Sequence, residues 1–213
     1  MSMSRSGLAG AALVVGALAA SALAQPDIGG TPLHTEEDFF TGNDLWGMNV
    51  WSYVYDATTD LPAGFVLEAD EMLFAYLLDA EDTKPVSIDA FSIGNPNVLP
   101  ILSVGFASTI TPPGYDGGLR EDPYVYGYSG SAQATIFTYT GDFSDPFSTL
   151  DPEEWSLVWY IAQSPTWSLG SATASGAGIS DNQFVPVPDI PAPGAAALLA
   201  IAAACSGAHR RRR

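Results

Sequence analysis

From Trp46 to Tyr55 the side chains alternate between two sets. Trp46, Met48, Val50, Ser52 and Val54 fall on one side, and Asn49, Trp51, Tyr53 and Tyr55 on the other. A period of two in aromatic and β-branched residues is the pattern of a strand. It constrains the fold because it recurs. Phe65–Leu67, Met72–Leu78, Val86–Ile93, Val98–Ala107, Tyr124–Tyr128, Ala132–Tyr139 and Ser156–Ala162 are further short apolar or alternating runs. Between them lie Asp56–Asp60, Gly94–Asn97, Thr111–Gly118 and Thr140–Glu154, all rich in residues that turn a chain. Met72–Leu78 has helical propensity, but its shortness and flanking turns favour a strand. Pro100 suits an edge position or an irregular start. Asp27–Asp44 reads as polar and turn-rich, and Ser168–Ile179 as a last weak strand grading into a linker. Seven to nine short strands with turns between them predict an all-β fold: a single antiparallel β-sandwich, jelly-roll-like or immunoglobulin-like.

Helices are expected only at the two ends. After Arg5, the run Leu8–Ala20 is apolar, and Ala22-Leu23-Ala24 forms a small-x-small site before Gln25. This predicts a signal peptide over residues 1–24, cut between Ala24 and Gln25. At the other end, residues 186–193 read as a stiff, extended proline-rich spacer. Residues 194–213 follow as a short hydrophobic helix and a basic cluster: Gly194–Ala208 is apolar, and His209 precedes Arg210, Arg211, Arg212 and Arg213. The apolar run is shorter than the ~20 residues of a full helical span. Snorkelling arginines extend its reach, so it engages a membrane at least transiently, with the arginines held on the cytoplasmic side.

This order of proline motif, apolar helix and arginine cluster, behind a signal peptide, resembles the PEP-CTERM family of exported bacterial proteins. The resemblance covers Val185 to Arg213, with Pro191-Ala192-Pro193 standing where the family carries Pro-Glu-Pro. It implies export by the secretion machinery to the cell envelope, cell surface or extracellular matrix of a bacterium. It also implies an exosortase-type enzyme that reads Pro191, Ala192, Pro193 and the arginines. It defines an address, not an activity.

The remaining body, residues 25–185, is of a length for one domain. All 24 acidic residues lie between Asp27 and Asp189, opposed there only by Lys84 and Arg120, a net charge of −22. Such a surface repels phosphate, so nucleic acid is excluded as a partner. It keeps an exported protein dispersed and invites divalent cations. The one cysteine, Cys205, lies in the apolar tail. The body therefore has no disulfide framework, and packing must hold it together.

Catalytic chemistry finds little support. The histidines are His34 and His209, no serine sits in a nucleophile motif, and no glycine-rich loop runs into a helix with a following lysine. Pairs such as Glu68 with Asp70, or Glu153 with Glu154, occur in any acidic chain. The chain reads as no enzyme and needs no cofactor. For metal, Asp142, Asp145 and Asp151, with Glu153 and Glu154 nearby, concentrate oxygen ligands that calcium takes. Turn capping by Asp142 and Asp145 is the favoured reading. For a ligand face, Tyr124, Tyr126 and Tyr128 share one strand face, although most aromatics of a small sandwich belong in its core.

The expected function is an exported structural protein of the cell surface or matrix. The alternative is a secreted carbohydrate-binding module, calcium-assisted in one version, that docks on extracellular polysaccharide.

Overall fold

The computed structural model describes residues 26–94, 100–107, 119–140 and 149–189. The expected cleavage site at Ala24 and Gln25, the motif Pro191-Ala192-Pro193 and the cluster Arg210–Arg213 lie outside the described residues.

Eleven strands make up the body: β1 His34–Gly42, β2 Trp46–Asp56, β3 Glu71–Ala80, β4 Ala90–Gly94, β5 Ile101–Phe106, β6 Leu119–Arg120, β7 Val125–Ser129, β8 Ala134–Thr138, β9 Glu154–Gln163, β10 Thr166–Gly176 and β11 Ile179–Asp189. They form two sheets, ordered β1-β2-β3-β9-β5, with β6 beside β9, and β11-β10-β4-β8-β7. Every pairing is antiparallel except the two-residue contact of β6 with β9. Among the described residues there is no helix, and the two sheets pack as a β-sandwich.

The main core lies between the sheets. Met48, Val50 and Val54 of β2, Phe74 and Tyr76 of β3, and Val158 and Tyr160 of β9 face the second sheet. Phe91 and Ile93 of β4, Phe137 of β8, and Ala172 and Ala174 of β10 meet them. Ring pairs fill this core: Phe40 meets Phe91 edge-on at 5.8 Å across the sheets, and Phe74 stacks on its cross-strand neighbour Tyr160 at 5.1 Å. Such pairs add about 0.5–1.5 kcal/mol each to the area they bury. Trp46 donates its indole N–H to the Gly176 carbonyl at 3.1 Å, tying the start of β2 to the end of β10. Gly42 makes room for that indole, since a Cβ there would lie 2.0 Å from Nε1.

The first sheet is also apolar on its other face. Trp51, Tyr53 and Tyr55 of β2, Leu73 and Leu77 of β3, and Trp155 and Leu157 of β9 form a second core. An antiparallel sheet commonly leaves one face to water. Here Ile28 and the segment carrying Leu61, Phe65 and Leu67 cover it. The covering chain is fastened by phenols: Tyr53 donates to the Pro26 carbonyl, and Tyr55 donates to the Gly29 carbonyl at 2.9 Å. Phe65–Leu67, expected as a strand, is therefore not one. Its residues lie across an existing sheet and contribute side chains, with the Phe65 ring edge-on to Trp159 at 5.0 Å.

Several strands depart from the sequence reading: β6 lies in no expected run, and β10 turns back into β11 where a linker was expected. β1 occupies the stretch expected to be turns. Its core-side positions are His34, Glu36, Asp38 and Phe40, so its alternation carries almost no hydrophobic signal. β11 runs through Pro186–Asp189, the first half of the expected spacer, so the body continues past Val185 at least to Asp189. Val187 is buried in the main core. Pro186 and Pro188 lack an N–H, but β11 is the outer strand of its sheet, where alternate residues present their backbone groups away from the neighbour. The Pro186 carbonyl is directed that way and accepts the Tyr76 hydroxyl at 2.5 Å, while the Tyr160 hydroxyl lies 3.3 Å from that of Tyr76. Burial, followed by the influence of Tyr160, holds the Tyr76 phenol well above its ordinary pKa, so it stays a donor.

β10 and β11 join through Ala177 and Gly178, at φ 50° and 75°. Both lie in the left-handed region, as a two-residue type I′ hairpin requires. Ala177 is strained there, whereas asparagine tolerates that conformation. Ala177→Asn should therefore stabilise the fold by about 0.5–1 kcal/mol, read as a raised urea midpoint at unchanged slope. Tyr76→Phe should cost about 1–3 kcal/mol in the same measurement, because it leaves the buried Pro186 carbonyl unpaired.

Candidate functional site

Three places stand out in the structure, two of them holding residues singled out by the sequence. Asp142 and Asp145 lie outside the described residues. Asp151 is described and caps a turn. Its carboxylate accepts hydrogen bonds from the hydroxyls of Ser87 and Thr149. Its N–H donates to the Glu154 carboxylate at 2.8 Å, and the Glu154 N–H returns to the Asp151 carbonyl at 3.0 Å. A carboxylate is acceptor-only, so both hydroxyls direct protons at the same oxygen, Oδ1. That oxygen pins the entrance of β9 to the chain just before β4. No group of three or more His, Cys, Asp or Glu suited to a metal occurs among the described residues.

The tyrosines occupy the second place. Tyr126 and Tyr128 pair across with Phe137 and Thr135, both core-facing, so this stripe points toward the other sheet and not outward. β7 is the last strand of its sheet and β5 the last of the other, which leaves the stripe at the mouth of the sandwich. There Tyr126 meets Phe106 of β5 edge-on at 5.4 Å. Tyr124 is 55% exposed and Tyr126 44%, while Tyr128 is half-buried. This aromatic lip is the candidate ligand surface. The other aromatic side chains are mostly spent on packing: Trp46, Trp51, Tyr53, Tyr55 and Trp155 are buried, and Trp159 and Trp167 half-buried.

The third place went unread in the sequence. On the far side of the sandwich, β1 and β11 lie against each other as the end strands of the two sheets. The Thr41 N–H donates to Asp181 Oδ2 at 3.0 Å, and Gln183 donates to the same oxygen at 3.1 Å. His34 stacks on Trp167 at 4.1 Å and stands 3.6 Å from the Glu36 carboxylate. Oδ2 of Asp38 is shielded from water and has no hydrogen-bond partner among the described residues. Burial first, then the charges of Glu36 and Glu37, push the Asp38 carboxyl up to about 6. The signal was present as His34-x-Glu36-x-Asp38-x-Phe40, a period of two in which acids replace apolar residues.

The folded state holds the Asp38 proton more tightly than the unfolded chain does. The stability that this confers is full below the ordinary value of 3.8 and is lost as the pH rises to about 6. Burial likewise raises Asp89 and Glu154, which act in the same direction. Asp38→Asn should leave stability near pH 4 unchanged and raise it at about pH 7.5 by about 1 kcal/mol, the gain reduced by solvent screening of a half-exposed group. Thermal melts of both proteins at the two pH values measure this.

Comparison with protein-family models, with curated proteins and with solved structures found no match.

Proposed function

We propose that this chain is an exported structural protein of the bacterial cell surface or extracellular matrix, delivered by a signal peptide and a PEP-CTERM-like tail. The observation that carries the reading is the order of Pro191-Ala192-Pro193, the apolar run and Arg210–Arg213. The fold supports it in one respect. β11 runs to Asp189, two residues before Pro191, so the described strand and the motif do not overlap. In this reading helices form at both ends, the secretion machinery removes residues 1–24, and an exosortase-type enzyme acts on the tail. The body is nearer the jelly-roll-like than the immunoglobulin-like form, since the chain passes between sheets at β3–β4, β4–β5, β6–β7, β8–β9 and β9–β10.

Fractionation tests this. The full chain and a variant lacking Pro191–Arg213 are expressed with a secretion system, and envelope, medium and cytoplasm are compared. The full chain should concentrate in the envelope or matrix fraction, and the variant should shift to the soluble exported fraction. Identical distributions would overturn the reading. The intact mass of the exported protein should correspond to a chain beginning at Gln25.

A second reading is favoured by the aromatic lip: a carbohydrate-binding module whose exposed Tyr124 and Tyr126 stack on sugar rings. A glycan array with and without calcium tests it. Binding should fall at least about tenfold in Tyr126→Ala, and uniform absence of binding rejects it.

A further inference from the structure

Along the β1–β11 side the sandwich is closed by side chains and not by a ladder. The two strands lie against each other, yet among the described residues β1 pairs only with β2 and β11 only with β10. Four polar atoms on this side are shut away from water with no hydrogen-bond partner among the described residues. Three belong to the inner face of β1: His34 Nε2, Glu36 Oε2 and Asp38 Oδ2. The fourth is Ser52 Oγ, on β2 opposite Glu36. Ser52 is wholly buried, so this polar strip reaches into the sandwich. A buried carboxylate oxygen left unpaired is costlier than a neutral group in the same position.

The strip also lacks a fixed counter-charge. On its own strand Asp38 has Glu36 and Glu37 as neighbours, and His34 beyond them, charged only when protonated. β11 brings Asp181 and Asp189 and no cation, and β10 brings no titratable side chain. β2 sets Met48, Val50 and Ser52 around Asp38, none of them titratable. The two cations of the body are placed elsewhere, Lys84 at 3.8 Å from Asp44 and Arg120 at 3.0 Å from Asp122. A proton on Asp38 removes one negative charge from this group and supplies an O–H donor. Its loss leaves like charges together where water is excluded while the seam is shut. The raised pKa of Asp38 agrees with this arrangement.

The seam is the weakest join that these charges act on. β1 is paired with β2, and β11 with β10, along their whole lengths. Across the seam the Thr41 N–H meets the Asp181 carboxylate, and His34 stacks on Trp167. Charge repulsion here opposes side-chain contacts and not a ladder. We propose that the β1–β11 seam is a proton-held closure: protonated, Asp38 lets the two end strands shut against each other, and on losing that proton they part while both sheets persist. Local opening of this kind is distinct from a lowered global stability, because it exposes one side of the core first. Val187, buried on β11, is the core residue it would wet. The proposal is independent of the tail and of the tyrosine lip.

Single buried cysteines in the full-length protein, with Cys205→Ser as background, test it. Val187→Cys lies on the end strand β11, and Val158→Cys on β9, inside the first sheet; both replace core side chains. Labelling by dithiodipyridine is followed at about pH 5 and about pH 7.5, each rate divided by that of the same variant unfolded in urea at the same pH. Between the two pH values the Val187→Cys rate should rise at least about tenfold more than the Val158→Cys rate. Val185→Cys, also buried on β11, should behave as Val187→Cys does. Adding Asp38→Asn should abolish the difference. Adding His34→Phe, which keeps a ring against Trp167, should leave it in place. Equal rises at β11 and β9 would mean global destabilisation and overturn the proposal. A difference that survives Asp38→Asn overturns it too. So does one that His34→Phe removes, which would assign the trigger to the histidine.

Discussion

The central strands of the first sheet have no face to give to water, and the rest of the fold follows from that. β2, β3 and β9 carry large apolar residues on both sides, Met48 and Val50 against Trp51 and Tyr53, Phe74 and Tyr76 against Leu73 and Leu77. One side is covered by the second sheet. The other would expose a large apolar patch if Ile28 and the segment from Leu61 to Leu67 did not lie across it. Tyr53 and Tyr55 fix that cover by donating to the carbonyls of Pro26 and Gly29. The body therefore needs no disulfide. Its cross-links are phenol and indole hydrogen bonds between chain-distant segments: Tyr55 to Gly29, Tyr76 to Pro186, Trp46 to Gly176.

The two lateral sides of the sandwich are finished differently. On one, β1 and β11 lie together, and each carries a feature that discourages addition of another strand: acids on β1, prolines on β11. Their cost is the crowding of Glu36, Glu37 and Asp38, which leaves an Asp38 oxygen without a partner among the described residues. On the other side, β5 and β7 end the sheets with aromatic residues, and Tyr126 reaches across to Phe106. One side is sealed by polar groups and the other is an apolar lip.

The alternation of Trp46–Tyr55 and Ser156–Ala162 was legible as strands because β-branched and aromatic residues keep a period of two whichever face is buried. It could not say which face would be covered, since both sets were apolar. β1 escaped because its period is written in His34, Glu36 and Asp38, residues that hydropathy scores as loop. β11 escaped because prolines at Pro186 and Pro188 weigh against a strand. Their spacing of two was the missed clue, as it places both absent N–H groups on the same unpaired edge. Of the site residues, Tyr126 and Tyr128 share one face of β7, and its inward direction depends on pairing with Phe137 and Thr135, which no local pattern reveals. Asp151 read as a cation ligand, and only the positions of Ser87 and Thr149 show it capping a turn.

The end of β11 constrains how a tail could be handled. The Asp189 carbonyl accepts hydroxyls from Ser164 at 2.9 Å and Thr166 at 3.1 Å, so the chain leaves the body from a fixed point. Upstream of it, Val187 fills the core and Pro186 accepts from Tyr76. A cut after Val185 would strip an end strand of its apolar residue and orphan a buried phenol. A cut beyond Asp189 touches neither. Processing that leaves a folded body must therefore act downstream of Asp189, which is where Pro191-Ala192-Pro193 stands.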